Sequence, residues 1–427
     1  MQKYINPPKS DWESLLQRPR TDLSNLYQTV QEVLNRVKQE GDKAVAWYTK
    51  KFDGYKGNTH EITSEVISKA ESQISEELKY AIRKAAKNIE KFHLSQKQTI
   101  TRIETQPGVT CWQKSVAIEK VGLYIPGGTA PLFSTVLMLG IPARIAGCKE
   151  IVLCSPPDKK GNINPAILFA ASIAGINKIY PIGGIQAIAA MAYGTQSVPQ
   201  VYKIFGPGNK FVTAAKQLIS IDETAIDMPA GPSEVLVMAD ETANPSFVAA
   251  DLLSQAEHGA DSQVMFLTTS SELLEETLTE VNKQVKALPR MAGALGALGD
   301  SKAFLLPSLD QMMEMSNLYA PEHLILSIKD ASSAAEKVIN AGSVFIGHYT
   351  PESAGDYASG TNHTLPTNKH ARTYSGVNLD SYIRKITFQE ITKQGLKELG
   401  PVIETMAEAE MLEAHKNAVT LRLNSLK

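Results

Sequence analysis

The chain has few cysteines, no long apolar run and no excess of either charge. Three cysteines among 427 residues are too few for a disulfide framework. The longest apolar stretches, such as residues 166–176, are too short to span a bilayer, and the first ten residues lack the apolar segment of a signal peptide. A net charge of -2 provides no basic field for nucleic acid or anionic membranes. We therefore expect a cytoplasmic protein that binds neither nucleic acid nor membrane.

Apolar residues change their spacing near residue 116. Before that point they recur at helical intervals, as at Val30, Val33 and Val37, and an acidic pair follows Ser75, where the dipole of a starting helix favours it. After it, short apolar runs rich in β-branched residues alternate with helical stretches, which is typical of parallel strands buried on both faces. These runs lie at residues 119–128, 150–157, 178–184, 201–208, 233–240, 262–269, 302–308, 323–328 and 343–347.

Two consecutive series of such strands and helices predict an α/β fold with two doubly wound Rossmann-like units, a helical N-terminal part and a small C-terminal segment. At 427 residues the chain also exceeds what one hydrophobic core usually organises. We expect an N-terminal arm at residues 1–20, a first Rossmann-like domain at 21–119 plus 235–377, a second at 120–234 and a C-terminal helical tail at 378–427.

One turn between a predicted strand and a predicted helix has the composition of an anion-binding site. FGPGNKF, at residues 205–211, brings the backbone N–H groups of Gly206, Gly208 and Asn209 to a helix start, where a pyrophosphate can bind. The dinucleotide fingerprint G-x-G-x-x-G is incomplete, because Phe211 takes the place of the third glycine. An ordinary turn explains this stretch equally well.

A second stretch, SQAEHGADSQV at residues 254–264, raises the question of a metal. Gln255 and His258 are three positions apart at the end of a predicted helix, so their side chains share one face before Gly259 ends the helix. The pair is either an ordinary polar helix end or half of a metal site that other parts of the chain complete.

Further polar residues lie in the C-terminal quarter of the chain. Asp356 and His363 lie in a polar loop at residues 351–376, and a loop of that length is usually functional or disordered. Glu410 and His415 lie on a predicted terminal helix. Single residues of these kinds are mostly surface groups or satisfied core groups. Together, however, Gln255, His258, Asp356 and His415 would offer two imidazole nitrogens and two oxygens. Such a donor set would suit Zn²⁺ or Mn²⁺.

Two kinds of side chain could act on a substrate directly. Glu322 and His323 are adjacent at the entry to a predicted strand, where both can reach one cavity and serve as a general base and its acid/base partner. A solvated glutamate beside a half-buried histidine is the plainer alternative. Cys148 and Cys154 are candidates for attack on an aldehyde, but neither is flanked by a base, so we interpret both as small buried residues.

Long segments of the chain closely resemble the histidinol dehydrogenase family. They span nearly the whole chain and include VGLYIPGGTAPLFSTVLMLGIPARIAGCKEIVLCSPP, IFGPGNKFVTAAK, DMPAGPSEVLV, DLLSQAEHGADSQV, YAPEHL, AGDYASGTNHTLPT and AEAEMLEAHKNAVTLR. Such long, ordered agreement is highly specific, and no family functional position differs. The resemblance implies a metal-dependent, four-electron oxidation of L-histidinol to L-histidine at the end of histidine biosynthesis. The reaction would pass through an enzyme-held aldehyde and use two NAD⁺ per turnover.

The same resemblance implies a role for each polar residue described above. Zn²⁺ would be ligated by Gln255, His258, Asp356 and His415, and Glu322 and His323 would be the catalytic pair. The substrate would contact these metal ligands together with Ser233, His323, His363 and Glu410, and the dinucleotide would contact Tyr124, Gln186 and Asn209. A homodimer is also implied, and its exchanged C-terminal segments would bring Glu410 and His415 to the partner's site.

Two other functions are compatible with parts of this pattern. A hydrolase could use Glu322 to activate a metal-bound water, although the chain lacks H-E-x-x-H and contains the GPGN turn. A nucleotide-binding regulatory protein on the same fold would need neither a metal nor Glu322. Reduction of NAD⁺ by histidinol, followed by NADH absorbance, separates the dehydrogenase from both.

Overall fold

The computed structural model describes residues 1–18, 24–57, 60–127, 131–221 and 224–426. Its strands are β1 (Gln2–Ile5), β2 (Arg102–Gln106), β3 (Val109–Ala117), β4 (Lys120–Tyr124), β5 (Glu150–Cys154), β6 (Lys178–Tyr180), β7 (Lys203–Phe205), β8 (Ala225–Ile226), β9 (Glu234–Ala239), β10 (Gln263–Thr268), β11 (Lys302–Leu305), β12 (His323–Ser327), β13 (Ser343–Ile346) and β14 (Ile383–Ile391). The predicted boundary between residues 20 and 21 lies outside the described residues.

The α-helices alternate with these strands over most of the chain. They are α1 (Trp12–Leu15), α2 (Ser24–Glu40), α3 (Asp42–Phe52), α4 (Ser64–Ala70), α5 (Glu76–Leu94), α6 (Phe133–Ala146), α7 (Pro165–Ala174), α8 (Gly184–Tyr193), α9 (Lys210–Ile219), α10 (Pro245–Ala256), α11 (Ser271–Gln284), α12 (Met291–Gly299), α13 (Leu309–Tyr319), α14 (Ala331–Ala335), α15 (Glu352–Tyr357), α16 (Lys393–Ala409) and α17 (Glu413–Asn424). None of the described helices combines the length and the apolar character that crossing a bilayer requires.

The described strands form three sheets. Six strands form a parallel sheet in the order β1-β11-β10-β9-β12-β13, and five form a second parallel sheet in the order β6-β5-β4-β7-β8. The third sheet is antiparallel, in the order β14-β3-β2. In the five-stranded sheet the chain runs from β4 outward to β6 and then continues at β7 on the other side of β4. In the six-stranded sheet it likewise runs from β9 to β11 and continues at β12 on the other side of β9, as in a doubly wound unit. The predicted α/β fold with two Rossmann-like units is confirmed.

The central strands of the six-stranded sheet have no exposed face. β9, β10 and β12 are buried along their whole length. Val235 and Val237 pack on one side with helix α10, whereas Leu236 and Met238 pack on the other with Tyr319. Because both faces are covered by helices, these strands are continuously apolar rather than alternating. Each of the apolar runs predicted to be a strand is a strand in the structure.

The N-terminal helices pack against the five-stranded sheet. α2 and α3 bury Val30 and Val45 in a core shared with α8 and α9, and α5 buries Ile89 in the core formed with α6 and α7. This packing differs from the predicted grouping of residues 21–119 with 235–377. The reason is that an amphipathic pattern reports which face of a helix is buried but not the sheet it covers. The domain boundaries themselves stay a prediction.

The antiparallel sheet and the helices after it form the last part of the fold. In the sheet, the rings of Trp112 and Phe388 stack with their centroids 5.4 Å apart, but most of its side chains are exposed, so no apolar run predicted it. The terminal helix predicted to carry Glu410 and His415 is instead two helices, α16 and α17, which pack on each other. α16 begins at Lys393 because Thr392 caps it, with its Oγ1 accepting a hydrogen bond from the backbone N–H of Gly395 at 3.0 Å.

Candidate active site

Several of the polar residues selected from the sequence meet at the amino ends of two neighbouring strands. Glu234 begins β9 and His323 begins β12, and these strands pair in parallel. Gln255 reaches the same place from the last turn of α10, and its Nε2 lies 3.3 Å from the carbonyl oxygen of Glu234. The fold thus brings the amide of Gln255 to the imidazole of His323 and to the carboxylate of Glu322, which lies 67 residues later in the sequence.

Glu322 is a buried carboxylate held by two donors. Its Oε2 accepts hydrogen bonds from the backbone N–H of Glu234 at 2.8 Å and from Nε2 of Gln255 at 3.3 Å. Burial raises the pKa of Glu322 to about 8. A carboxylate whose pKa lies near neutrality can both take and return a proton, as a general base must. The solvated-loop alternative for Glu322 is therefore wrong.

His323 lies next to Glu322 with one ring nitrogen fixed and the other available. Its Nδ1 lies 3.1 Å from the carbonyl oxygen of Glu234, and because a carbonyl oxygen only accepts, this contact places the hydrogen on Nδ1. Its Nε2 is buried without a hydrogen-bond partner and lies 3.6 Å from Oδ1 of Asp356. Burial opposes a charge on His323, but the charges of Glu352, Glu322 and Asp356 raise its pKa.

Helix α15 supplies two further carboxylates to the site. Glu352 and Asp356 are four residues apart, so they share one face of the helix. A nitrogen of His323 and one carboxylate oxygen from each of these residues lie within 4.8 Å of one another, an arrangement that could hold a metal ion. Asp356 was predicted to lie in a loop, and the short helix was missed because ESAGDY has no apolar stripe.

His258 lies near this carboxylate cluster. His258 is exposed in the single chain, but partial desolvation of its ring lowers its pKa and outweighs the nearby charge of Asp356. A neutral imidazole is the form that binds metal ions, so His258 is in the state a ligand needs. Gln255, His258 and Asp356 thus belong to one part of the structure.

His363 connects this site to the other parallel sheet. Its Nδ1 lies 2.8 Å from the backbone oxygen of Asp356, and its Nε2 lies 3.0 Å from Oγ1 of Thr135 on α6. Ser233 directly precedes Glu234, and its backbone oxygen accepts a hydrogen bond from the N–H of Gln263. His363 therefore contacts the backbone of Asp356, and Ser233 precedes Glu234, whose backbone contacts both members of the predicted catalytic pair.

Glu410 and His415 are not brought to this site within the same chain. Glu410 ends α16, His415 lies on α17, and both are exposed. In the part of the chain that the structure describes, no hydrogen bond or ion pair joins either side chain to Gln255, His258 or Asp356. Within one chain, Gln255, His258 and Asp356 each lie near His323, whereas Glu410 and His415 have no such contact among the described residues.

The predicted dinucleotide contacts lie at the carboxyl edge of the five-stranded sheet. Tyr124 ends β4, and its hydroxyl accepts a hydrogen bond from the backbone N–H of Gly184 at 3.0 Å. Asn209 follows β7 and caps α9 with its side chain. β4 and β7 are the adjacent strands at which the chain order reverses, where ligands bind in folds of this kind. Gln186 is buried in the first turn of α8.

The turn after β7 needs its first glycine. Gly206 has a φ of +124°, and a Cβ there would lie 2.1 Å from the backbone oxygen of Tyr124. A buried ion pair fixes this turn, since Lys216 donates to the Gly206 carbonyl oxygen and Asp227 accepts from the Gly206 N–H, both at 2.8 Å. The nitrogen of Lys216 lies 2.5 Å from Asp227.

Comparisons with known proteins agree along the whole chain. Residues 16–423 match the family model for histidinol dehydrogenase. The chain belongs to the histidinol dehydrogenase family. The histidinol dehydrogenase of Bacteroides thetaiotaomicron is 63% identical over 428 residues, with 100% of both chains covered. That of Shigella sonnei is 51% identical, with 98% of each covered. The crystal structure of histidinol dehydrogenase from Elizabethkingia anophelis is 58% identical, covers 100% of this chain and 98% of its own, and has a TM-score of 0.98.

Membership in the histidinol dehydrogenase family decides between the functions considered above. This chain is an oxidoreductase of histidine biosynthesis, which excludes both the hydrolase and the purely regulatory protein. Cys148 and Cys154 are poor candidates for a nucleophile, because burial raises the pKa of both thiols, to about 12 for Cys148.

Sequence reasoning about this histidinol dehydrogenase missed one buried acid, Glu352. Both of its carboxylate oxygens are buried without a hydrogen-bond partner, and burial raises its pKa to about 8. The only signal available was its spacing of four residues from Asp356, which is informative only once the stretch is known to be helical.

Proposed function

We propose that this chain is a zinc-dependent histidinol dehydrogenase that oxidises L-histidinol to L-histidine through histidinaldehyde, with two NAD⁺ as hydride acceptors. The observation that carries the proposal is the buried pair of Glu322 and His323 beside Asp356 and His258. A general base, a proton acceptor and candidate metal ligands all belong to this one cluster.

The donor set fits zinc. Gln255, His258 and Asp356 would hold the ion together with His415 of the partner subunit, which gives two nitrogens and two oxygens, a set that also suits Mn²⁺. The unpartnered Nε2 of His323 and the unpaired carboxylate of Glu352 add buried polar groups next to this position. When bound, the ion would hold and orient the imidazole and amine of histidinol.

The residues of the chain would divide the chemistry as follows. In the first oxidation, His323 takes the proton of the alcohol's hydroxyl group at Nε2, while a hydride leaves the carbon that bears this hydroxyl for the nicotinamide of NAD⁺. In the second, Glu322 removes a proton from the water that adds to the aldehyde, and the resulting gem-diolate gives a hydride to a second NAD⁺, which leaves the carboxyl group of L-histidine. Glu410 pairs with the ammonium or imidazole of histidinol, and Ser233 and His363 contact the substrate.

The remaining parts of the proposal concern the cofactor face and the assembly. Tyr124, Gln186 and Asn209 contact the dinucleotide at the carboxyl edge of the five-stranded sheet. The enzyme is a cytoplasmic homodimer with exchanged C-terminal segments, divided into an arm, two Rossmann-like domains and a tail at the boundaries predicted from the sequence.

Counting NADH against histidinol tests the proposed function. Two NADH should form for each histidinol consumed, because the alcohol and the aldehyde each release one hydride. A chelator should abolish the activity, and added Zn²⁺ should restore it. One NADH per histidinol would contradict the second oxidation, and full activity after exhaustive chelation would contradict the metal.

Replacing His258 with Asn should weaken zinc binding at least tenfold, since even residues that only orient metal ligands contribute about 10- to 100-fold. Zinc content after dialysis against a metal buffer measures the effect. Asn is close in size to His, so circular dichroism should be unchanged. His348 is a suitable control, because it contacts Ser327 and Thr242 rather than the site, and His348→Asn should retain zinc. Equal zinc affinity in His258→Asn and the unaltered enzyme would remove His258 from the ligand set.

A further inference from the structure

The five-stranded sheet has no acidic residue directly after its second strand, where dinucleotide-binding folds usually place the acid that binds the ribose. In doubly wound folds, an Asp or Glu near the end of the second strand accepts a hydrogen bond from the 2′-hydroxyl of the adenosine ribose of NAD⁺. The second strand of the five-stranded unit is β5, and it is followed by Ser155 and two prolines. The next acid, Asp158, is exposed, and its Oδ1 accepts hydrogen bonds from the backbone N–H groups of Lys160 and Asn162, both at 2.8 Å.

Asp53 supplies a carboxylate at this place from outside the sheet. It follows the last residue of α3, which packs on α8. Gly183 lies between the carboxylate and the end of β5, because a Cβ at Gly183 would lie 2.6 Å from Cγ of Pro156 and 3.2 Å from Oδ1 of Asp53. Gly127, in the turn after β4, approaches the same proline, at 2.7 Å from its own Cβ position. Gly127, Pro156 and Gly183, which follow β4, β5 and β6, thus form one contiguous group that reaches Asp53.

A buried amide without a full set of partners faces this carboxylate. Gln186 is fully buried, and its Nε2 donates to Oδ2 of Asp53 at 3.3 Å, whereas its Oε1 has no hydrogen-bond partner among the described residues. Burial raises the pKa of Asp53 to about 6. A half-buried carboxylate and an unpaired amide oxygen together offer acceptors to a ligand that carries hydroxyl donors.

We propose that Asp53 accepts a hydrogen bond from the 2′-hydroxyl of the adenosine ribose of NAD⁺ and that its negative charge rejects the 2′-phosphate of NADP⁺. The inference rests on the proposed NAD⁺-dependent function and adds a specificity-determining residue to it. The adenosine ribose, rather than the nicotinamide ribose, is indicated because Asp53 lies beside the residues that follow β5, on the side of β4 away from the turn at Gly206.

The test compares kcat/KM for NAD⁺, NADP⁺ and NAD⁺ that lacks the adenosine 2′-hydroxyl. In Asp53→Asn, kcat/KM for NAD⁺ should fall about 10- to 100-fold, the range for a hydrogen bond to a charged group, and the preference for NAD⁺ over NADP⁺ should shrink by at least as much. The 2′-deoxy cofactor should be used poorly by the unaltered enzyme and lose little further in Asp53→Asn. The KM for histidinol at saturating NAD⁺ should stay unchanged in both.

Asp158→Asn is the matched control, since it removes the acid nearest in sequence to β5 and should leave the ratio of NAD⁺ to NADP⁺ use unchanged. Asp53→Glu should keep the rejection of NADP⁺, which separates the effect of charge from that of local packing. The inference is overturned if Asp53→Asn keeps the cofactor preference, or if the losses from Asp53→Asn and from the 2′-deoxy cofactor simply multiply. Failure of the unaltered enzyme to reduce NAD⁺ with histidinol would instead contradict the proposed function.

Discussion

Replacing Glu322 with Gln should slow the oxidation of histidinaldehyde by about 10²- to 10⁴-fold, the usual cost of losing a general base. Only the second oxidation needs an activated water, so the oxidation of histidinol to the aldehyde should suffer much less. The substitution keeps the size of the side chain, and the Gln oxygen can still accept from the N–H of Glu234, as Glu322 does at 2.8 Å. Single-turnover NADH formation, started separately from histidinol and from histidinaldehyde, measures the two steps.

A second buried acid provides the control for this experiment. Glu352 is buried even more deeply than Glu322 and raises the pKa of the same histidine, His323, but it lies on α15 and has no hydrogen-bond partner among the described residues. Glu352→Gln removes a charge without removing the proposed base, so it should slow the two oxidations by similar factors. If Glu322→Gln slows both steps equally, Glu322 has no special part in activating water.

The parts of the fold predicted from the sequence are those in which one local pattern determines the result. β9 reads as continuously apolar because helices cover both of its faces. The antiparallel sheet of β2, β3 and β14 gave no such signal, because its side chains are mostly exposed and Trp112 meets Phe388 across a long sequence separation. The sheet on which α2 packs is likewise decided by tertiary contacts that no local spacing reports.

The residues of the candidate site also differ in how far the sequence alone predicted them. Gln255 and His258 were noticed because their spacing places them on one helical turn, and Glu322 was noticed because it is adjacent to His323 at a strand entry. The specific roles of Asp356 and His415 came from resemblance to the family. Glu352 and Asp53 have no sequence motif. Their chemical character comes from burial and from neighbours contributed by other elements, and these exist only once the chain has folded.

The exposed C-terminal hairpin favours an exchange of segments between subunits. α16 and α17 pack mainly on each other and leave several large apolar side chains exposed. Met411 is 87% exposed and Met406 61% exposed, and such a surface beside functional residues is typical of a protein interface. Glu410 and His415 lie on this hairpin, away from Gln255, His258 and Asp356 of their own chain. A homodimer in which each hairpin reaches the other subunit would complete both sites.

Co-expression of His258→Asn with His415→Asn should therefore restore activity that neither variant has alone. In a mixed dimer with exchanged hairpins, one site receives both substitutions, and the other combines an unaltered core with an unaltered hairpin. Random pairing makes about half of the dimers mixed, each with one intact site of two, so about a quarter of the normal activity should return. Differently tagged subunits allow the mixed dimers to be purified, and these should have about half of the normal activity per dimer. Two copies of His258→Asn that carry different tags form the control and should stay inactive. If each hairpin serves its own subunit, every site keeps one substitution, and the purified mixed dimers would be as inactive as their parents.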